Sequence, residues 1–198
     1  MNDIDLYVNF AAHAILGRLG EADQIMRTFG ESVRRVADDL ERECPVPWRP
    51  LYRGLMLDPA LPFALDDKLT YLSWSEDPDV ARWFACPRSA VSVDLASMKP
   101  ELRGYVAKIS APQSRVLFHH GWAEALGGLA WFALLHPLMG QGGKEQIEWS
   151  LKTQSEVITE PVANLVPEPA PDLDGDALEA LERRLSPPWV VETEGLRR

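Results

Sequence analysis

The sequence predicts an α+β fold on two observations. Apolar residues recur at helical spacing from residue 3 to 43, and after a proline-rich break the chain changes to short runs of strand formers. The composition agrees. Of 198 residues, 46% are hydrophobic and 25% charged, enough for a real core, and the length favours one domain with an appendage.

The elements follow in order. Leu6, Phe10 and Ala14 mark a first helix, and Phe29, Val33, Val36 and Leu40 a second, with Gly17 and Gly20 between them. Cys44 to Pro50 (CPVPWRP) is a stiff connector. Strands are expected at Pro50–Leu57, Leu69–Ser75, Gly104–Ser110 and Ser114–His120. A helix starts after Ser75: Asp77 can cap it, Pro78 suits its first position and Asp79 its first turn. An apolar helix is expected over Trp122–Leu135, then a loop at Gln141–Lys144, then strands at Glu145–Leu151 and Gln154–Pro161. The end is acidic and Pro-rich with a short helix near Ala177–Leu185. This divides the chain into a helical layer at 1–46, a core at 47–166 and a tail at 167–198.

Several functions are disfavoured. A formal net charge of -10 argues against phosphate-backbone binding, so a nucleic-acid partner is not expected. Cys44 and Cys86 are too few for a disulfide framework and lack metal-ligand spacing, so no metal is expected. The start MNDIDLYVNF carries acid where a signal peptide carries lysine or arginine, and Gly127–Met139 is too short to cross a bilayer. These features predict a cytoplasmic protein without a membrane partner, with delivery to another cell open by routes that need no cleaved signal.

Three short motifs carry the chemistry. Tyr52-Arg53-Gly54 puts a guanidinium inside an apolar strand, where it needs an anion or solvent. Tyr71-Leu72-Ser73-Trp74-Ser75 ends a strand at a helix start, where serines alone usually serve as backbone caps. Gln154-Ser155-Glu156 opens a late strand with a carboxylate, which alone reads as a solvated edge charge.

Together, in this order, they resemble the ADP-ribosyltransferase family of the arginine–serine–glutamate type, the clade of many bacterial toxins. The matched region runs from about 50 to 165. The resemblance implies two packed mixed β-sheets around an NAD cleft, with N-terminal helices. It implies transfer of ADP-ribose from NAD to a macromolecular acceptor, with a protein expected, and release of nicotinamide. The role would be that of a bacterial or phage toxin, effector or modifier, and a cognate inhibitor or antitoxin is an allowed partner. By carry-over, Arg53 holds NAD phosphate with Tyr52 and Gly54 beside it, and Ser73 orients Glu156. Ser75 supports the strand edge or the nicotinamide pocket, near Tyr71. Glu156 stabilises the cationic sugar that forms as the C–N bond breaks. Gln154 is expected on the same strand face as Glu156, where a neutral amide weighs against an arginine acceptor. NAD hydrolysis on the same fold is one alternative. A non-catalytic interaction protein on a degenerate transferase scaffold is another.

The sequence departs from the family in its serine motif, where Trp74 stands in place of the usual threonine and is expected to be buried packing. Trp149 is the aromatic nearest to the loop that meets a protein substrate in the family. A second Gln-x-Glu, Gln146-Ile147-Glu148, is set aside because Glu156 opens a strand that stops at Pro161. His119 and His120 are expected on opposite faces of a strand. In Asp172–Asp176 the later glutamate is misplaced for a calcium loop and the Pro-rich setting reads as a solvated linker, and Gln141–Lys144 lacks phosphate-loop spacing.

Overall fold

The computed structural model describes residues 2–64, 69–110, 112–125, 127 and 136–185. Most of the expected helix at Trp122–Leu135 lies outside these residues, beyond a short first piece. The architecture is α+β. The chain divides into two compact units: residues 1–49, 66–74 and 111–163 form one, and residues 50–65, 75–110 and 164–198 form the other.

The first unit begins with a helical hairpin, α1 (Asp3–Ile15) and α2 (Leu19–Glu43). Asn2 starts α1 with a capping box, its Oδ1 accepting from the Asp5 amide at 2.8 Å while Asp5 accepts from the Asn2 amide. Gly17 ends the helix at φ +67, a backbone that glycine adopts at little cost. The chain then doubles back, so that Arg35 of α2 meets Asp3 at 2.9 Å. α2 kinks at Phe29 (φ -131, ψ 22). The buried faces of both helices join Leu117 and Phe118 of β4 (Val116–His119), Trp122 of α5 (Trp122–Ala125), Ile147 of α6 (His136–Trp149) and Ile158 of β5 (Glu156–Thr159) in one core.

α6 corrects two expectations. Glu145–Leu151 is not a strand, and Gln141–Lys144 is not a loop; both belong to helix and to the π-helical turn Ser150–Gln154 that extends it. Ile147 is fully buried in the core, and Gln146 Nε2 donates to the Leu16 carbonyl at 3.4 Å. Tertiary burial has overridden the local alternation of apolar and polar residues.

The second unit is built on β1 (Leu51–Leu57) and β3 (Arg103–Ile109), antiparallel over their whole length from Leu51↔Ile109 to Leu57↔Arg103. β6 (Glu168–Pro169) pairs with β3, and Ser75 of β2 (Leu72–Ser75) pairs with Tyr52. Helix α3 (Pro78–Ala85) lies on β1 and β3 at two glycines. A Cβ on Gly54 would stand 2.1 Å from the Ala81 carbonyl oxygen, and one on Gly104 1.9 Å from that of Ala85. The α4 helix (Val93–Met98) follows, and α7 (Gly175–Leu185) closes the unit.

The described part of the tail forms the expected short helix, and that helix is anchored within the second unit. Glu182 of α7 accepts from the Trp83 indole at 2.9 Å and the Ala90 amide at 2.8 Å, Arg184 meets Asp77 and Asp79, and Leu181 and Leu185 are buried.

The strand order is β4-β5-β2-β1-β3-β6, with β2 giving Leu72–Trp74 to the first unit and Ser75 to the second. The six described strands stand in one sheet order, where the resemblance implies two packed sheets. No helix among the described residues is long and apolar enough to cross a membrane.

Candidate active site

In the first unit, β2 and β5 are neighbouring strands, and they carry Ser73 and Glu156. Trp74 is buried, as its place between the serines predicts, and its Nε1 donates to Thr159 Oγ1 at 3.0 Å. Those two side chains share one face of the sheet. Alternation along each strand then puts Ser73 and Glu156 together on the opposite face.

Glu156 is only 5% exposed, at the head of a strand whose four residues are all buried. This corrects the reading of a solvated edge charge. A carboxylate so enclosed costs several kcal/mol unless its surroundings compensate, which favours a specific role over chance. The strand behind it is pinned. Val157 pairs with His119, the His120 amide donates to the Glu156 carbonyl at 3.0 Å, and Glu160 is tied to Arg34 by an ion pair and to the Arg115 carbonyl through its amide.

Gln154 is not on the strand. It ends the π-helical turn, and Ser155 follows it with left-handed backbone, φ 48 and ψ 53. The expectation that Gln154 and Glu156 share a strand face is overturned, because period-2 alternation does not extend through a left-handed residue. The competing Gln146 and Glu148 lie on α6. His119 and His120 do not diverge either. β4 ends at His119, and the two rings stack with centroids 4.6 Å apart.

Tyr71 belongs to the core, edge-on to Phe10 at 5.5 Å and 88°. Its place beside the serine motif reflects packing of the helical hairpin.

In the second unit, Arg53 sits half-buried in mid-strand on β1. Gly54 faces α3, so Arg53 projects from the other face of the strand. The closeness of Ala81 reassigns Gly54 from a ligand contact to helix packing, since the space beside it is filled by α3 backbone. Tyr52 lies under the Lys108 ammonium, 5.6 Å from its ring centre. Ser75 is buried, and its Oγ accepts from the Asp77 amide at 2.9 Å. Asp77 in turn caps α3 by accepting from the Asp79 amide, as its spacing predicts. This contact fits support of the strand end, one of the two expectations for Ser75.

Three features escaped sequence reasoning. The Trp74–Thr159 tie joins residues 85 apart, and the anchoring of α3 by Glu182 and Arg184 spans about as far; neither has a local signal. The π-helical turn before Glu156 also gave none, although such turns are rare and often stand at functional sites. No protein-family model, curated protein or solved structure matches the chain.

Proposed function

We propose that this protein is a mono-ADP-ribosyltransferase that moves ADP-ribose from NAD to a macromolecular acceptor, with a protein as the expected acceptor class. The observation that carries the reading is the burial of the Glu156 carboxylate on a strand next to the one that bears Ser73, with alternation placing the two on one face. That is the relation the three motifs call for between a serine that orients and a glutamate that acts.

In this reading the bond from nicotinamide nitrogen to the ribose anomeric carbon breaks first, and its electron pair leaves with neutral nicotinamide. Positive charge grows on the anomeric carbon and ring oxygen. The Glu156 carboxylate, fixed by a pinned strand and shielded from water, stabilises that charge more than it stabilises bound NAD. Ser73 restrains the carboxylate. By the resemblance, Arg53 would offer a forked donor to the pyrophosphate. By the resemblance, Gln154 would help to choose the acceptor.

The test follows the ADP-ribose. The full chain is incubated with NAD labelled in the adenylate, with and without cell lysate. Label on a protein that is lost with Glu156→Ala supports transfer. Label found only as free ADP-ribose makes the protein an NAD hydrolase. Label that stays in NAD removes the enzymatic reading and leaves a binding protein.

A further inference from the structure

We infer that Ser155 is a positioning residue for Glu156 and that it acts through its left-handed backbone, not its hydroxyl. The inference rests on the reading of Glu156 as the group that stabilises the sugar cation.

Among the described residues other than glycine, Ser155 and Asn164 have positive φ. Asparagine tolerates that conformation, whereas serine adopts it rarely. Helices often end on a left-handed residue, but glycine or asparagine is the usual choice. A strained residue persists where its surroundings over-determine it, and such residues gather at functional sites.

The surroundings here are specific. On one side is the π-helical turn, closed by Gln154. On the other, the buried Glu156 is the very next residue. Everything past Glu156 is held: Val157 pairs with His119, Thr159 takes the Trp74 indole, and the Glu160 amide donates to the Arg115 carbonyl. If residue 155 relaxed to extended or right-handed backbone, β5 could not follow. Glu156 and the turn would absorb the change, and the carboxylate would rotate away from the face it shares with Ser73. The same joint keeps Gln154 off the strand, so one residue sets where both polar groups point.

The test uses five substitutions in the full chain. Ser155→Gly and Ser155→Asn accept left-handed backbone. Ser155→Ala removes only the hydroxyl. Ser155→Val and Ser155→Thr add a branch at Cβ that disfavours it, and Thr keeps the hydroxyl in case the Val variant does not fold. Two readouts are taken: kcat and KM for nicotinamide release from NAD, and the carboxyl carbon resonance of Glu156 followed against pH, assigned with Glu156→Gln.

Gly, Asn and Ala are expected within about threefold of the parent in kcat, with the Glu156 titration unmoved. Val and Thr are expected to lower kcat roughly tenfold with little change in KM, and to shift the titration. Thermal destabilisation of Val and Thr with kcat and titration intact well below the melting point would mean a structural role only and would overturn the inference. So would equal losses in Gly, Ala and Val. If the parent releases no nicotinamide, the transferase reading fails, and the resonance alone decides. A shift in Thr or Val but not in Gly then upholds positioning, and no shift in either overturns it.

Discussion

Gly54 separates a packing role from a ligand role more sharply than any other residue of the three motifs. Replacing it by alanine puts a methyl 2.1 Å from the Ala81 oxygen, 2.7 Å from Phe84 Cβ and 2.9 Å from the Ala85 amide nitrogen. Ordinary contact begins near 3.4 Å, so α3 must retreat by more than an ångström. The atoms in the way are mostly helix backbone, which cannot swing aside as a side chain would. Overpacking of this kind costs about 1–3 kcal/mol, and rigid neighbours favour the upper end. Loss of glycine's freedom in the unfolded chain returns about 0.4–1 kcal/mol. A net loss of about 2 kcal/mol is expected, which moves the urea midpoint down by about 1 M at a slope of roughly 2 kcal/mol/M. Gly104→Ala, against Ala85, should behave alike. The double variant should lose less than the two together, because both methyls push the same helix. The assay is urea unfolding followed by tryptophan fluorescence. An unchanged midpoint together with a raised KM for NAD would refute the reasoning and return Gly54 to the ligand.

Two further outcomes concern stability. The Tyr7 hydroxyl is buried and has no hydrogen-bond partner among the described residues, and burial pushes the phenol well above its ordinary range. Tyr7→Phe should therefore be at least as stable as the parent at pH 7 in thermal melts. A phenol raised by folding contributes stability that is present below its unfolded value and lost as pH rises past it. The parent should weaken above pH about 10, and Tyr7→Phe should weaken less. Within α7, Leu185→Ala should cost about 2–5 kcal/mol in urea unfolding, since the side chain is 1% exposed. Arg184→Ala should cost under about 1 kcal/mol, because its two ion pairs lie at the surface.

Local signals were legible where local physics decides the outcome. The start of α3 could be read from Asp77 and Pro78, because a cap and a first-position proline act within one turn. The opening of β5 at Glu156 could be read from the apolar residues that follow it. The helix at Glu145–Leu151 could not, because its alternation of Gln, Ile, Glu and Trp fits a strand as well as a helix, and only the depth of Ile147 in the core decides between them. The contacts of the tail were illegible for a similar reason. Glu168 and Pro169 find a partner strand in β3, and Trp83 a partner in Glu182, at distances along the chain that composition does not encode. In the candidate site, residue types and order were legible, but not the burial of Glu156 or the left-handed joint before it. Both depend on how the turn docks onto strands formed elsewhere.

The most direct test of the central claim is nicotinamide release from NAD by the purified full chain, with and without lysate, beside Glu156→Ala and Glu148→Ala. Loss of a preorganised charge at the reacting centre should lower the rate on the order of a hundredfold in Glu156→Ala, while Glu148→Ala, altered on α6, keeps the parent's rate. No release by the parent even with lysate present, or release by Glu156→Ala at the parent's rate, would contradict the account.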